Sequence, residues 1–146
     1  SCISVKVPLG PVDKLKDLKF SQPESPFVEL SSEDADHSWI SETTGNTISI
    51  LSECQESRLK PKDVATDTLA AIEQPRIIKS ESTKISSHPA HEITATGVVD
   101  QHAIKITILS LRTKKCFVTL TYGGLLKNYD TESSHYNRLR DSVAVP

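Results

Sequence analysis

The sequence predicts an α+β domain, an antiparallel β-sheet flanked by two helices, one in mid-chain and one at the end. Three observations carry this. Apolar and polar residues alternate through 93–99, 103–111 and 116–122, as they do in strands whose side chains point to opposite faces in turn. Gly45-Asn46 sits between two further strand-like runs, and both residues tolerate the positive φ of a hairpin turn. Two stretches, 61–72 and 131–143, repeat apolar residues at helical spacing.

The elements follow in order. Ile3, Val5 and Val7 alternate, so a short strand or extended tether starts the chain. Pro8, Gly10, Pro11, Pro23 and Pro26 among alternating Lys and Asp read as linker, and the folded unit is expected to begin near Leu18. That divides the chain into an anchor region with flexible linker, 1–17, and a single α+β domain, 18–146. Phe27 to Leu30 is a short strand candidate, followed by an acidic bend at Glu33-Asp34-Asp36. Trp39-Ile40 and Ile48 to Leu51 flank the Gly45-Asn46 turn. Pro61 opens a helix whose face is Val64, Thr68, Leu69 and Ile72, and Pro75 ends it. Residues 76–86 read as an edge strand. Asp100-Gln101-His102 and Thr113-Lys114-Lys115 are turns between the three long strands. The spacing places Ile93/Ala95/Val99, Ile104/Ile106/Ile108, Cys116/Val118/Leu120/Tyr122 and Ile48/Ile50/Cys54 on the apolar side. Thr94, Thr96, Lys105, Thr107, Thr119 and Thr121 fall on a wetter one. Tyr136, Leu139 and Val143 line the last helix, with Asp130 or Thr131 as its cap.

Composition bounds the function. Seventeen Lys and Arg against nineteen Asp and Glu leave a net charge of −2 over 146 residues, which argues against a nucleic-acid partner held by bulk charge. No apolar run approaches the roughly 20 residues a membrane-spanning helix needs. Cys54 and Cys116 end and begin strand-like runs. In a reducing compartment they would be two buried small hydrophobes; in an oxidising one they could form a disulfide, with Cys2 left over. Such a bridge would close a loop of about 62 residues, worth about 4 kcal/mol in the chain-entropy model. Cys2 itself fits a lipoprotein junction, in which cleavage after a small residue leaves an N-terminal cysteine to carry lipid. Ile3 in place of an inner-membrane-retaining Asp leans towards an outer-membrane anchor.

Several motifs then combine: Cys2 before a loose linker, Leu18-Lys-Phe-Ser-Gln-Pro23, Asp36 with Trp39, Thr44-Gly-Asn-Thr-Ile-Ser49 and Ser52-Glu-Cys54. After the first helix come Thr96-Gly-Val-Val-Asp100, Lys114-Lys-Cys116, a strand and a last amphipathic helix. Over about residues 17–144 this resembles a family of small bacterial envelope lipoproteins related to the PsbP-like fold. The resemblance implies an α/β/α sandwich. It also implies a non-enzymatic role, since the wider fold includes extrinsic photosystem subunits and a Ran-binding import factor, both interaction proteins. Where the family pattern has a Gly-Arg-Glu-like strand start, this chain has His91-Glu92, so no role of that Arg carries over.

Catalytic machinery is not legible. There is no Gly-x-Ser-x-Gly elbow, and Gly123-Gly124 follows a strand without a phosphate-loop pattern. Glu33-Asp34-Asp36 lacks EF-hand ligand spacing. His88, His91 and Glu92, with His102 across the following hairpin, form the one cluster resembling a zinc or copper site; the alternative is a set of solvated turn residues near Pro89. Arg112, Lys114 and Lys115 make a basic hairpin tip suited to anionic headgroups or an acidic partner, or to solubility alone. Trp39 is a binding anchor or core, and Tyr122, Tyr129 and Tyr136 line a cleft or pack. The expectation is therefore a non-catalytic lipoprotein domain. It would be tethered through Cys2, face the periplasm or cell surface, bind an unidentified envelope protein and need no cofactor. A periplasmic small-ligand or metal-binding module is the alternative.

Overall fold

Alternation of apolar and polar residues builds seven strands into one antiparallel sheet. The structure, a computed structural model, describes residues 14–55 and 58–146. The strands are β1 (Phe27–Glu29), β2 (His37–Ser41), β3 (Thr47–Cys54), β4 (Glu73–Ile85), β5 (His88–Val99), β6 (His102–Arg112) and β7 (Cys116–Leu125), and their order in the sheet is β1-β2-β3-β7-β6-β5-β4. Helix α1 (Pro61–Thr68) lies between β3 and β4, and α2 (Tyr129–Ser142) follows β7. The expected α+β class, with its edge strand after the first helix, is what the chain adopts.

Turn chemistry fixes the hairpins. Gly45 has φ +80° between β2 and β3. The β4–β5 and β5–β6 turns are Ser86-Ser87 and Asp100-Gln101, and all four residues have positive φ, as a two-residue type I′ turn requires. Neither pair contains glycine, so the β4–β5 hairpin carried no sequence signal. It moves the start of β5 back to His88, and His88 to Glu92 lie in a strand rather than a loop. Pro89 is tolerated because it pairs only with Lys84, at a point where pairing with β6 has not begun.

The largest difference from the sequence reading is that the sheet has two apolar faces. Ile93 and Ala95 on β5, with Ile104, Ile106 and Ile108 on β6, pack under α1 beside Ala65, Leu69 and Ile72. Leu109, Leu111, Val118, Leu120 and Tyr122, with Ile48 and Ile50, pack on the opposite face under α2. Thr94 and Thr107, expected on a wet side, are buried beneath α2. The expected helix face of α1 shifts likewise: Ala65, Leu69 and Ile72 are buried, whereas Val64 and Thr68 are half-buried. At Gly97 the helix end approaches so closely that a Cβ would lie 2.2 Å from Ile72 Cγ2 and 2.9 Å from the Glu73 carbonyl.

Coverage of the two faces is unequal. A helix is about 10 Å across and strands are about 4.8 Å apart, so one short helix covers two strands. Helix α1 contacts β5 and β6. On the other face α2 is joined by Leu15, Leu18 and Phe20 from the N-terminal side and by Val143 and Val145 after the helix. Lys14 Nζ donates to the Ser52 carbonyl at 2.8 Å, and the Leu15 N–H donates to Ser52 Oγ at 3.3 Å. Packing therefore extends to residues that the proline spacing assigned to the linker. Helix α2 begins at Tyr129, earlier than the cap expected at Asp130 or Thr131, because a 3-10 turn at Leu126–Asn128 leads into it. The expected strand at Ile3–Val7 and the anchor residue Cys2 lie outside the described residues.

Candidate functional site

The polar residues under α2 hold the fold together. Glu132, 4% exposed, accepts hydrogen bonds from Ser41 Oγ at 2.6 Å, from Asn46 Nδ2 at 2.9 Å and from Thr44 Oγ1. Burial works against its ionisation, but those donors outweigh it and hold the carboxyl below its ordinary range. Asn46 Nδ2 also donates to the Asn128 carbonyl at 3.0 Å, and Tyr122 Oη donates to the Tyr129 carbonyl at 2.5 Å. The β2–β3 turn is thereby pinned to the start of α2. A second set surrounds Glu92, 4% exposed: Tyr136 Oη donates to it at 2.9 Å, Arg140 Nη1 at 3.1 Å, and Lys79 Nζ pairs at 3.5 Å. Burial, with the Glu92 charge beside it, pushes the Tyr136 hydroxyl well above its ordinary value. Thr107 bridges Thr94, at 2.7 Å, to Tyr129 Oη. The three tyrosines expected to line a cleft or pack are packed; Tyr122 and Tyr136 stack with centroids 5.6 Å apart.

The four residues of the metal alternative are not brought together. His91 is opposite Ser110 and His102 opposite Val99, at the two ends of the β5–β6 pair. The strand period turns Glu92 to the face opposite His91. His91 sits between Ser80 Oγ, 2.7 Å from Nε2, and Ser82 Oγ, 3.1 Å from Nδ1. Burial, and then the Lys62 charge, hold its imidazole below the ordinary pKa. His88 Nε2 lies 3.2 Å from the Pro146 carbonyl. His102 lines a recess of about 450 Å³ with Leu125, Leu126 and Lys127 at the far end of the sheet. Among the described residues no three His, Cys, Asp or Glu side chains are grouped to hold a metal ion.

Cys54 and Cys116 are directly opposed on β3 and β7 and are joined in a disulfide, with Cα atoms 3.9 Å apart. Trp39, 2% exposed, is part of the core rather than a surface anchor; its ring meets Phe20 edge-on at 5.8 Å. Arg112 lies over the Phe117 ring at 5.2 Å and donates from Nη1 to the Leu59 carbonyl. Lys114 and Lys115 are exposed on the turn between β6 and β7.

Besides the exposed edge strand β4, the part of the α1 face that α1 does not reach remains accessible. Strands β2, β3 and β7 present Ile40, Ser49, Leu51, Thr119 and Thr121 there, all half-buried. A shallow groove of about 280 Å³ runs along its border with α1, with Leu59, Val64 and Phe117 as apolar lining and Glu53 and Asp67 as acidic walls. Chemically this is a flat surface of hydroxyl groups and short aliphatic chains, suited to contact with a protein surface. The sequence marked its threonines as the wetter side. It did not mark the groove, which depends on how far a helix of this length reaches across a sheet.

No family model and no curated protein matches the sequence. Solved structures do match it in fold. The Mycobacterium tuberculosis protein LpqN, described as involved in cell envelope biogenesis, superposes with a TM-score of 0.74 at 10% identity, over 95% of this chain and 88% of LpqN. The cyanobacterial PsbP protein CyanoP from Synechocystis gives 0.66 at 12% identity, covering 99% of each chain. A Pseudomonas aeruginosa protein of unknown function gives 0.59 at 11%, over 97% of this chain and 90% of that one. The chain therefore has the PsbP-like fold, as its motifs implied.

Proposed function

We propose that this chain is a non-catalytic domain of the bacterial cell envelope. A lipid on Cys2 holds it at a membrane, the outer membrane by preference, and the uncovered part of its sheet faces another envelope protein. The observation that carries the reading is the unequal coverage of the sheet, which leaves Ser49, Leu51, Thr119 and Thr121 half-exposed on interior strands whose other face is packed; the edge strand β4 is exposed as well. The acid, base and hydroxyl groups that catalysis would draw on, Glu92, Glu132, His91 and the tyrosines, are engaged in joining elements. The bonded Cys54 and Cys116 suit an oxidising compartment. The likeness to a mycobacterial protein involved in cell envelope biogenesis agrees with that setting. No helix among the described residues is long and apolar enough to cross a membrane.

The test has two readings. Intact-mass analysis of the native protein is expected to show an acylated Cys2 that Cys2→Ser removes, releasing the protein from membranes. A photo-crosslinker at Thr121 is expected to give one discrete product in living cells, absent when the crosslinker sits at Lys127. An unmodified, freely soluble native protein rejects the anchor, and crosslinks at Lys127 alone reject the sheet face.

A further inference from the structure

Positive charge is gathered on one side of the disulfide end of the sheet, where the β6–β7 turn meets the segment before α1. Arg112, Lys114 and Lys115 stand where β6 turns into β7, and the bond from Arg112 to the Leu59 carbonyl ties that turn to the segment leading into α1. Arg58 and Lys60 flank Leu59, and Lys62 follows in the first turn of the helix, near enough to His91 to depress its protonation. Six cations are thus collected around one edge of the disulfide end. The described carboxylates beside them are Glu53 and Asp67, which wall the groove that Leu59 lines, and Asp63, which is occupied by the Lys60 N–H at 3.0 Å. The acidic bend at Glu33–Asp36 is at the same end but on its β2 side, across β3 and β7 from these cations; there Asp36 accepts from the Ser52 N–H at 2.7 Å and is paired with Lys14 at 3.1 Å. Leu59 adds an exposed apolar side chain, 45% accessible, between two of the cations. The opposite end has mixed charge, with Lys105 paired to Asp130.

The N-terminal side of the domain reaches the same end. Lys14 and Leu15 bond to Ser52, which lies two residues before Cys54 on β3. About a dozen residues separate Lys14 from Cys2, a reach of at most about 40 Å. From these placements we infer that the Arg58–Lys62 and Arg112–Lys115 end docks on an anionic lipid surface. The tethered domain then stands with its strands upright and its open sheet face turned sideways. That orientation rests on the anchoring reading above; the docking does not. Cations near an anionic membrane each favour binding about fivefold and act within a Debye length, so the attraction is short-ranged and salt-sensitive.

The probe is the whole chain carrying Cys2→Ser, sedimented with vesicles of phosphatidylcholine alone or mixed with phosphatidylglycerol. The expected result is binding to the mixed vesicles only, lost in high salt. It should be weakened about 25-fold by Lys114→Gln with Lys115→Gln and left unchanged by Lys127→Gln at the other end. Both lysines are exposed, so the variant's thermal transition should match the parent's. Equal binding to both vesicles, binding to neither, or equal weakening by Lys127→Gln overturns the docking surface. A native chain acylated on Cys2 whose Cys2→Ser form ignores anionic vesicles keeps the anchor and loses the docking surface. An unacylated native chain that binds them does the reverse.

Discussion

Ile108 and Leu109 are neighbours on β6, and both are fully buried, yet they enter different surroundings. Ile108 meets Ala65, Leu69, Ile72, Ile93 and Ala95, an aliphatic cluster under a short helix. Leu109 belongs to a larger layer containing three tyrosines, and buried Glu92, Glu132, Thr94 and Thr107 lie on that same face. The α1 face is closed mainly by apolar contact, with His91 and Ser110 as its buried polar residues, and only where the helix lies. On the α2 face a helix, an N-terminal segment and a C-terminal strap converge, and directional hydrogen bonds register them. Apolar burial is indifferent to small sliding, whereas a carboxylate with three donors is satisfied in one arrangement. The difference teaches where specificity sits and which face can afford to stay partly open.

Removing the largest buried polar-aromatic group is the strongest way to break this contrast. Tyr136→Ala deletes a ring stacked on Tyr122 and leaves Glu92 buried without one of its donors. It is expected to cost about 4–5 kcal/mol in denaturant unfolding. Ile108→Ala, on the aliphatic face, is expected to cost about 3 kcal/mol. Equal losses would mean that the Glu92 contacts add nothing beyond apolar volume.

Acid titration sharpens the contrast with a smaller effect. Because Glu132 has its pKa lowered in the folded chain, it contributes stability that is complete above its ordinary value of 4.5. The contribution is lost as pH falls through the lower folded value. Glu132→Gln is expected to cost about 2 kcal/mol at neutral pH. The gap between variant and parent should then narrow below about pH 4.5. Asp36, also lowered, is common to both proteins and cancels in the difference. A gap independent of pH, followed by chemical denaturation across the acid range, would show that the network is not carried by the Glu132 charge.

How much of this was legible depends on the range of the interaction. The long strands, the last helix and the Gly45-Asn46 turn announce themselves locally, through alternation, spacing and turn residues. The disulfide pairing followed because both cysteines fall at strand ends, and its register, Cys54 against Cys116, agrees with the apolar parity of β3 and β7. The doubled face was missed because Ile104/Ile106/Ile108 and Val118/Leu120/Tyr122 have the same alternation. Only the pairing of Ile108 with Thr121 reveals that they point opposite ways. The hairpin at Ser86-Ser87 lacks glycine, so the sequence alone leaves His91 and Glu92 beside Pro89 as turn residues. Period 2 would have separated them to opposite faces once a strand was admitted. Glu132, buried mid-surface on a helix of charged residues, has no local mark at all; its partners are 86 to 91 residues away.

The smallest effect separates the faces most cleanly, because one substitution is made on adjacent strands. Thr107 on β6 and Thr121 on β7 lie on opposite faces, since Thr107 is opposite Tyr122 and Thr121 opposite Ile108. Thr107 is 2% exposed, and its hydroxyl links Thr94 to Tyr129. Thr107→Val keeps the shape but leaves those two hydroxyls short of a partner, for an expected loss of about 1–2 kcal/mol. Thr121 is half-buried on the open part of the α1 face, and its hydroxyl bonds to no described residue. Thr121→Val should shift stability by less than about 0.5 kcal/mol, since β-branching is retained and the lost hydroxyl faced water. Urea unfolding of the two variants reads the difference directly. A loss at Thr121 as large as that at Thr107 would mean the supposedly open face is engaged within the domain, and the partner surface would have to be sought at the groove beside α1.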